Sequence, residues 1–359
     1  MNKSLNTIFG TDYKVSFSEK GYLDLNGQLL DNYSAIFLLV DNNTKKYCLP
    51  HFLDNIKVLR DKPVISIGAG EVNKNLETCK QVWNQLSELG ADRKSLLINL
   101  GGGVVTDLGG FVAAAFRRGI HFINIPTTLL SMVDASVGGK TGVDFQGLKN
   151  QIGIITNPEM VIIDSIYLKT LPENEYRSGY SEMLKHGIIS DAEFFKNLSK
   201  YKSFEENDVS HLIHRSISIK NSVVTRDPLE KNLRKILNFG HTLGHAIESY
   251  FLVNSDKKSL LHGEAIAIGM ILEAYLASQM TGLSIKAAKE IKSVFLGIFP
   301  RVHFKEDDIT SITSLLKYDK KNSHGKVKFV LLETIGKPII DVEIDEEKIS
   351  AAFEFYKSD

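Results

Sequence analysis

Short apolar runs that alternate with helical patterns constrain this fold more than any other feature of the chain. Residues 35–40 end at Asp41, and residues 64–67 run into Gly68-Ala69-Gly70. Residues 95–100 run into Gly101-Gly102-Gly103, residues 121–125 stop at Pro126, and residues 161–164 form a later run. Runs this apolar suit strands covered on both faces, as parallel strands are. Between them, Leu76, Cys79, Trp83, Leu86 and Leu89 recur at helical spacing, and Gly90 suits a C-cap. A helix is expected over residues 104–116. The alternation predicts a mostly parallel sheet covered by helices. After Asp164 the pattern changes. Helices are expected over residues 174–190, 209–225, 236–251 and 262–279, with one short strand over 327–332. The 359 residues therefore divide into an N-terminal α/β domain, 1–164, and a mainly α-helical domain, 165–359, which the motifs below mark as dinucleotide-binding and as metal- and substrate-binding. A ligand site is expected at the C-terminal ends of the sheet strands.

Composition narrows the partners. Lys plus Arg (43) balances Asp plus Glu (43), which argues against a nucleic-acid binder. Two distant cysteines, Cys48 and Cys79, form no redox or metal motif and suit a reducing compartment. The first residues lack the apolar core of a signal peptide, and no run reaches the ~18 apolar residues of a membrane span. A cytoplasmic protein without a membrane partner is expected.

Two glycine-rich turns follow strand-like runs. Gly101-Gly102-Gly103 opens a helix, where backbone N–H groups can approach a pyrophosphate. Asp107 is badly placed for phosphate but could accept hydrogen bonds from a nicotinamide amide or a ribose. The spacing misses the Gly-x-Gly-x-x-Gly fingerprint. Glu71 follows Gly68-Ala69-Gly70 and could hold ribose hydroxyls, or simply favour a helix start. Gly138-Gly139-Lys140-Thr141 lacks the first glycine of a Walker loop and no clean strand precedes it, so a nucleotide triphosphatase is rejected. Lys140, Lys149 and Asn150 read instead as a pocket for a phosphorylated or carboxylated small molecule.

His241 and His245 lie one helical turn apart and share a face, and His262 follows. Three ligands with one open position are typical of catalytic zinc, and neutral imidazole is its commonest protein ligand. Glu182 is the best carboxylate to complete the set. His186 lies one turn after Glu182, so that pair competes, and spacing does not choose between them. Lys185 can face the same cavity as Glu182. Arg234 and Asn238 share a turn spacing with His241 and His245, while Lys220 and Glu230 lie nearby in sequence.

These motifs occur in order between Asp41 and Gly336, as Gly101 to Asp107, Pro126-Thr127-Thr128, Val133 to Lys140, Leu148 to Gly153, Glu182 to Lys185, Leu237 to His245 and His262-Gly263-Glu264. Together they resemble the 3-dehydroquinate synthase family. The resemblance implies Glu182, His241 and His262 as zinc ligands, with Co2+ as an alternative metal. It moves His245 and Glu230 to the substrate and proton-transfer set, with Lys185 and Asp134. It implies NAD contacts from Asp41, Glu71, Lys74, Gly102, Gly103, Asp107, Thr127, Thr128, Lys140, Lys149 and Thr170. Lys140, Asn150, Lys220, Arg234 and Asn238 resemble the substrate pocket, and Lys320 or Lys321 would close it. Arg118 matches an arginine that reaches a neighbouring subunit's phosphate site, which implies a homodimer. Thr106 departs from the pattern, standing where glycine is usual. The implied substrate is 3-deoxy-D-arabino-heptulosonate 7-phosphate, converted through transient oxidation, phosphate elimination, reduction, ring opening and aldol closure. A metal-dependent polyol dehydrogenase would not need so many cationic partners. A cyclase acting on substrates without a carboxylate would not need Arg234 and Asn238.

Overall fold

The computed structural model describes residues 5–27, 30–146, 148–200, 209–254, 256–316 and 327–358. The chain forms two compact units, Met1–Pro172 with Asp208–Thr225, and Glu173–Asn207 with Arg226–Asp359.

In the first unit the strands are β1 (Ile8–Phe9), β2 (Lys14–Phe17), β3 (Ile36–Asp41), β4 (Val64–Ile67), β5 (Leu96–Gly101), β6 (His121–Pro126), β7 (Lys140–Phe145), β8 (Leu148–Ile155) and β9 (Met160–Ile163). Seven make one sheet in the order β1-β2-β9-β6-β5-β3-β4. Only β1 and β2 pair antiparallel within it. Every residue of β3 and β5 is buried, which is why both read as unbroken apolar runs. The polar exception pairs in register: Asn99 and Asn124 face each other, and the Asn99 side-chain NH2 donates to Asn124 Oδ1 at 2.9 Å. The Gly103–Ala115 helix begins where β5 ends. Thr106 fits within it, its hydroxyl 3.3 Å from the Gly102 and Gly103 carbonyls, to which it donates.

Two features differ from the sequence expectation. Residues 140–155, rich in glycine and small polar groups, form an antiparallel ribbon of β7 and β8 outside the main sheet. The Ser210–Arg226 helix falls late in the chain yet packs in the first unit. Asn221 joins it to the strands, accepting from Tyr13 Oη at 3.1 Å and donating to the Phe9 carbonyl at 2.8 Å.

The second unit is built on the His262–Met280 helix, which is apolar and buried along most of its length. Around it lie the Glu173–Ser190, His241–Val253, Ile285–Leu296 and Glu346–Lys357 helices. An antiparallel hairpin of β10 (Lys328–Thr334) and β11 (Lys337–Glu343) completes it, so the expected late strand has a partner. The helix expected over 236–251 is split: a 3-10 turn, Leu233–Asn238, precedes it, and the α-helix starts at His241. Gly240 causes the break. Its φ of 80° is left-handed, which a side chain would resist. Here the two histidine helices also touch, backbone to backbone. A Cβ on Gly269 would lie 2.0 Å from the Gly240 carbonyl oxygen.

The segment joining those two helices is anchored by Asp308. It accepts from Tyr250 Oη at 2.6 Å and from the Lys305 amide at 2.8 Å, and it pairs with Lys257. Burial pushes its carboxyl upward, but the hydrogen bonds from Lys257, Tyr250 and Lys305 overcome this and bring its pKa down to about 2. A carboxyl held below its ordinary 3.8 stabilises the fold above that value and loses this contribution as pH falls through about 2. Asp308→Asn should therefore lower the melting temperature at pH 6 and flatten its acid dependence between about pH 4 and 2. An acid limb parallel to that of the unaltered chain would contradict this. Gly269→Ala should cost at least about 1–3 kcal/mol in thermal unfolding, because the obstructing atom is backbone and cannot rotate away. An unchanged melting temperature would show that the helices separate freely.

Candidate active site

Three helices of the second unit bring Glu182, His241 and His262 together. Glu182 comes from the Glu173–Ser190 helix and has no exposed surface. The other two residues each begin a helix. Close backbone contact holds the first turns in place. The Ser178 hydroxyl accepts from the Gly263 amide at 2.9 Å, and a Cβ on Gly263 would meet the Ser178 carbonyl at 2.2 Å. Ser178 lies one turn before Glu182, so this joint sets His262 beside the carboxylate. His241 Nε2 and His262 Nε2 lie 3.7 and 3.8 Å from Glu182 Oε1. One donor atom from each of the three residues falls within 4.8 Å of the others.

The outer nitrogens decide how the rings are used. His241 Nδ1 is 3.1 Å from the Phe239 carbonyl, which can only accept, so Nδ1 carries the proton. His262 Nδ1 is 3.2 Å from Glu248 Oε2 and is held in the same way. In its neutral form each ring would thus direct its Nε2 lone pair toward Glu182. Imidazoles backed by a carbonyl or a carboxylate are the usual support of a metal site.

Glu182 is the anomaly such a site would resolve. Neither of its oxygens accepts a hydrogen bond of good geometry, although both are buried. The Lys185 ammonium, itself buried, is its one close cation among the described residues. A buried carboxylate is expensive unless cations and hydrogen bonds surround it. The donor set fits a divalent metal of the zinc type: two imidazole nitrogens and one carboxylate oxygen. His241 and His245 share a helix face, as their spacing predicts, but not one donor cluster. The two rings lie 5.2 Å apart, but His245 groups with Glu248 and His262 rather than with Glu182. His245 is half-buried, and its ring is 5.9 Å from that of His262. His186, the competing partner, is fully buried one turn beyond Glu182.

The 3-10 turn before His241 carries further predicted residues. The Asn238 amide donates to Glu230 Oε1 at 2.7 Å. Arg234 is buried, and its guanidinium donates to the Pro228 carbonyl at 2.7 Å.

The first unit gathers a second set. Lys74 Nζ donates to Asp107 Oδ2 and to Asn150 Oδ1, each at 2.7 Å, and lies 3.9 Å from Glu71. Lys149 donates to Glu71 at 3.0 Å. Asp107 is thus paired with Lys74, a pairing that sequence spacing did not reveal. Burial works to lower the Lys74 pKa, but the Asp107 and Glu71 carboxylates outweigh it and leave it raised, so the ammonium is charged at neutral pH. Asn150 is held in place by its φ of 49° and by its amide, which donates to Asp144 at 2.7 Å. Lys220 donates to the Asp134 carboxylate at 2.6 Å. Gly102 caps the helix that Gly103 opens, and the Thr127 amide donates to the Gly101 carbonyl at 3.0 Å. Thr128 bonds Ser131, Asp41 caps its own helix through Thr44, and Thr170 donates to the Tyr167 carbonyl. Lys140 is exposed at the head of β7, and Arg118 is exposed with a φ of 69°. Lys320 and Lys321 lie outside the described residues.

Sequence reading missed Glu248 and Glu273. Each had a signal. Glu248 is a lone acid between Ile247 and the apolar end of its helix, and Glu273 interrupts a run of small and apolar residues from Ala265 to Leu272. Acids in such positions need buried partners.

Comparison with known proteins agrees with the motifs. Residues 64–178 match the family model for the 3-dehydroquinate synthase N-terminal part, and residues 179–322 match that for its C-terminal part. A 3-dehydroquinate synthase of Parabacteroides distasonis is 39% identical over 341 residues, covering 93% of this chain and 96% of its own. That of Campylobacter jejuni is 38% identical over 346 residues, covering 94% and 95%. Among solved structures, a 2-deoxy-scyllo-inosose synthase complexed with carbaglucose-6-phosphate, NAD+ and Co2+ has a TM-score of 0.81 at 24% identity, covering 98% of this chain and 99% of its own. ValA, a 2-epi-5-epi-valiolone synthase of Streptomyces hygroscopicus with NAD+ and Zn2+ bound, has the same score, identity and coverage. These two likenesses establish the fold, a mostly parallel sheet followed by a helical part, and the two family models with the relatives establish that this chain belongs to the 3-dehydroquinate synthase family.

Proposed function

We propose that the chain converts 3-deoxy-D-arabino-heptulosonate 7-phosphate to 3-dehydroquinate and phosphate, with NAD and a zinc ion as resident cofactors. Family membership supports the reaction. The buried Glu182 carboxylate, ringed by two oriented imidazoles and Lys185, is the observation that supports the metal. Glu182, His241 and His262 would hold the ion, and Co2+ would suit the same donors. The glycine turn at Gly102 and Gly103, with Glu71, Lys74, Asp107, Thr127 and Lys149, would hold NAD. NAD would supply a hydride acceptor regenerated within each turnover, and the metal a Lewis acid for the C5 oxygen.

The remaining residues bind, orient and move protons. A ketone at C5 acidifies the C6–H bond, and loss of that proton expels phosphate from C7. Restoring hydride at C5 leaves no net oxidation. Ring opening and an aldol closure then form the carbocycle. Arg234 is buried with its guanidinium already fixed, which suits a substrate carboxylate with little reorganisation. Asn238, held by Glu230, would orient a hydroxyl beside it. Asn150 and Lys220 would hold polar groups of the substrate from fixed positions. His245 lies half-buried beside the proposed metal histidines and suits proton transfer near neutral pH. Lys140 would reach the phosphate, and an Arg118 from a second copy would join it, making the working form a homodimer. Lys185 and Asp134 complete the catalytic set.

Phosphate release from this substrate, with zinc and NAD below the enzyme concentration, tests the reading. Many turnovers of phosphate without a rise in NADH absorbance are expected. NADH accumulating from simple polyols, with no phosphate released, would overturn it.

A further inference from the structure

The second unit buries another carboxylate, one that the proposed ligand set and substrate pocket do not use. Glu273 has no exposed surface and lies about three turns beyond His262 on the same helix. Its carboxylate reaches across to the neighbouring helix. Oε2 accepts from the Gly240 amide at 2.6 Å, and Oε1 accepts from the Leu243 amide at 3.2 Å. Both amides lie at the start of the His241–Val253 helix, where donors have no partner within the helix. The N-cap there is Gly240, which has no side chain to cap with. Glu273 supplies the cap from another helix, its carboxyl oxygens accepting at the positive end of the helix dipole.

The position of those two amides matters for the metal. His241 lies between them, and its ring is held by the Phe239 carbonyl, one residue before Gly240. The backbone that Glu273 grips is thus the backbone that aims His241. The same helix carries His262 at its first position. We infer that Glu273 is a positioning residue for the metal site: it locks the start of the His241 helix to the helix bearing His262 and so fixes the separation of the two imidazoles. The inference rests on reading Glu182, His241 and His262 as metal ligands.

The test is zinc affinity of the full-length apo chain, measured by competition with a chelator, together with the visible spectrum of the Co2+-loaded form. Glu273→Gln keeps the shape but offers an N–H where an acceptor is needed. It should weaken zinc binding about tenfold or more and alter the Co2+ bands. Ser284→Ala removes the N-cap of the Ile285–Leu296 helix, where Ser284 accepts from the Ala287 amide, and serves as the control. It should lower the melting temperature and leave zinc affinity unchanged. A folded Glu273→Gln chain with unaltered affinity and Co2+ spectrum would overturn the inference and leave Glu273 a helix cap only. Should that variant not fold, hydrogen exchange of the unaltered chain decides. Coupling is reciprocal, so zinc must slow exchange at Gly240 and Leu243, and unchanged rates there would contradict the inference. Failure of the unaltered chain to bind zinc at all would instead defeat the metal-site reading itself.

Discussion

A carboxylate with no solvent and no well-formed hydrogen bond sets the problem that the second unit is built around. Glu182 sits at the meeting point of three helices, with one buried ammonium beside it. Desolvating a carboxylate costs several kcal/mol unless opposite charge is close. Lys185 supplies part of that charge. The imidazoles of His241 and His262 face Glu182 through Nε2 while Nδ1 is held on the far side, so as neutral rings they offer lone pairs rather than charge. An arrangement of one anion and two neutral donors stabilises a divalent cation far better than it stabilises itself.

Holding that arrangement requires helices closer than side chains normally allow. Gly240, Gly263 and Gly269 sit where a Cβ would strike backbone atoms of the opposing helix. The close approach buries the amides that every helix start leaves unpaired, and buried polar side chains answer them. Ser178 takes the Gly263 amide, and Glu273 takes those of Gly240 and Leu243. Glu248 then fixes the outer nitrogen of His262. Packing, capping and ligand orientation are therefore one network in this unit. In the first unit a comparable economy of charge holds Glu71, Lys74, Asp107, Lys149 and Asn150 in a connected set at the ends of the strands.

The legible part of the fold was the part where one pattern had one meaning. β3, β5 and β6 are covered on both faces, so their sequences are plainly apolar. The β7–β8 ribbon was not legible, because glycine and small polar residues carry no period and its partner strand lies within the same loop-like stretch. The break at Gly240 was hidden by helical spacing on both sides. For the site, spacing along one helix favoured His241 with His245. The grouping of Glu182, His241 and His262 joins three helices, and no local period encodes such a convergence. Family resemblance supplied it. The Lys74–Asp107 pair spans two separate βα turns and was unreadable for the same reason.

The most direct measurement is anomalous diffraction at the zinc absorption edge from crystals of the zinc-loaded chain. One peak per chain is predicted, about 2.0–2.2 Å from Glu182, His241 Nε2 and His262 Nε2. A peak among His245, Glu248 and His262 instead, or none in the second unit, would contradict the account.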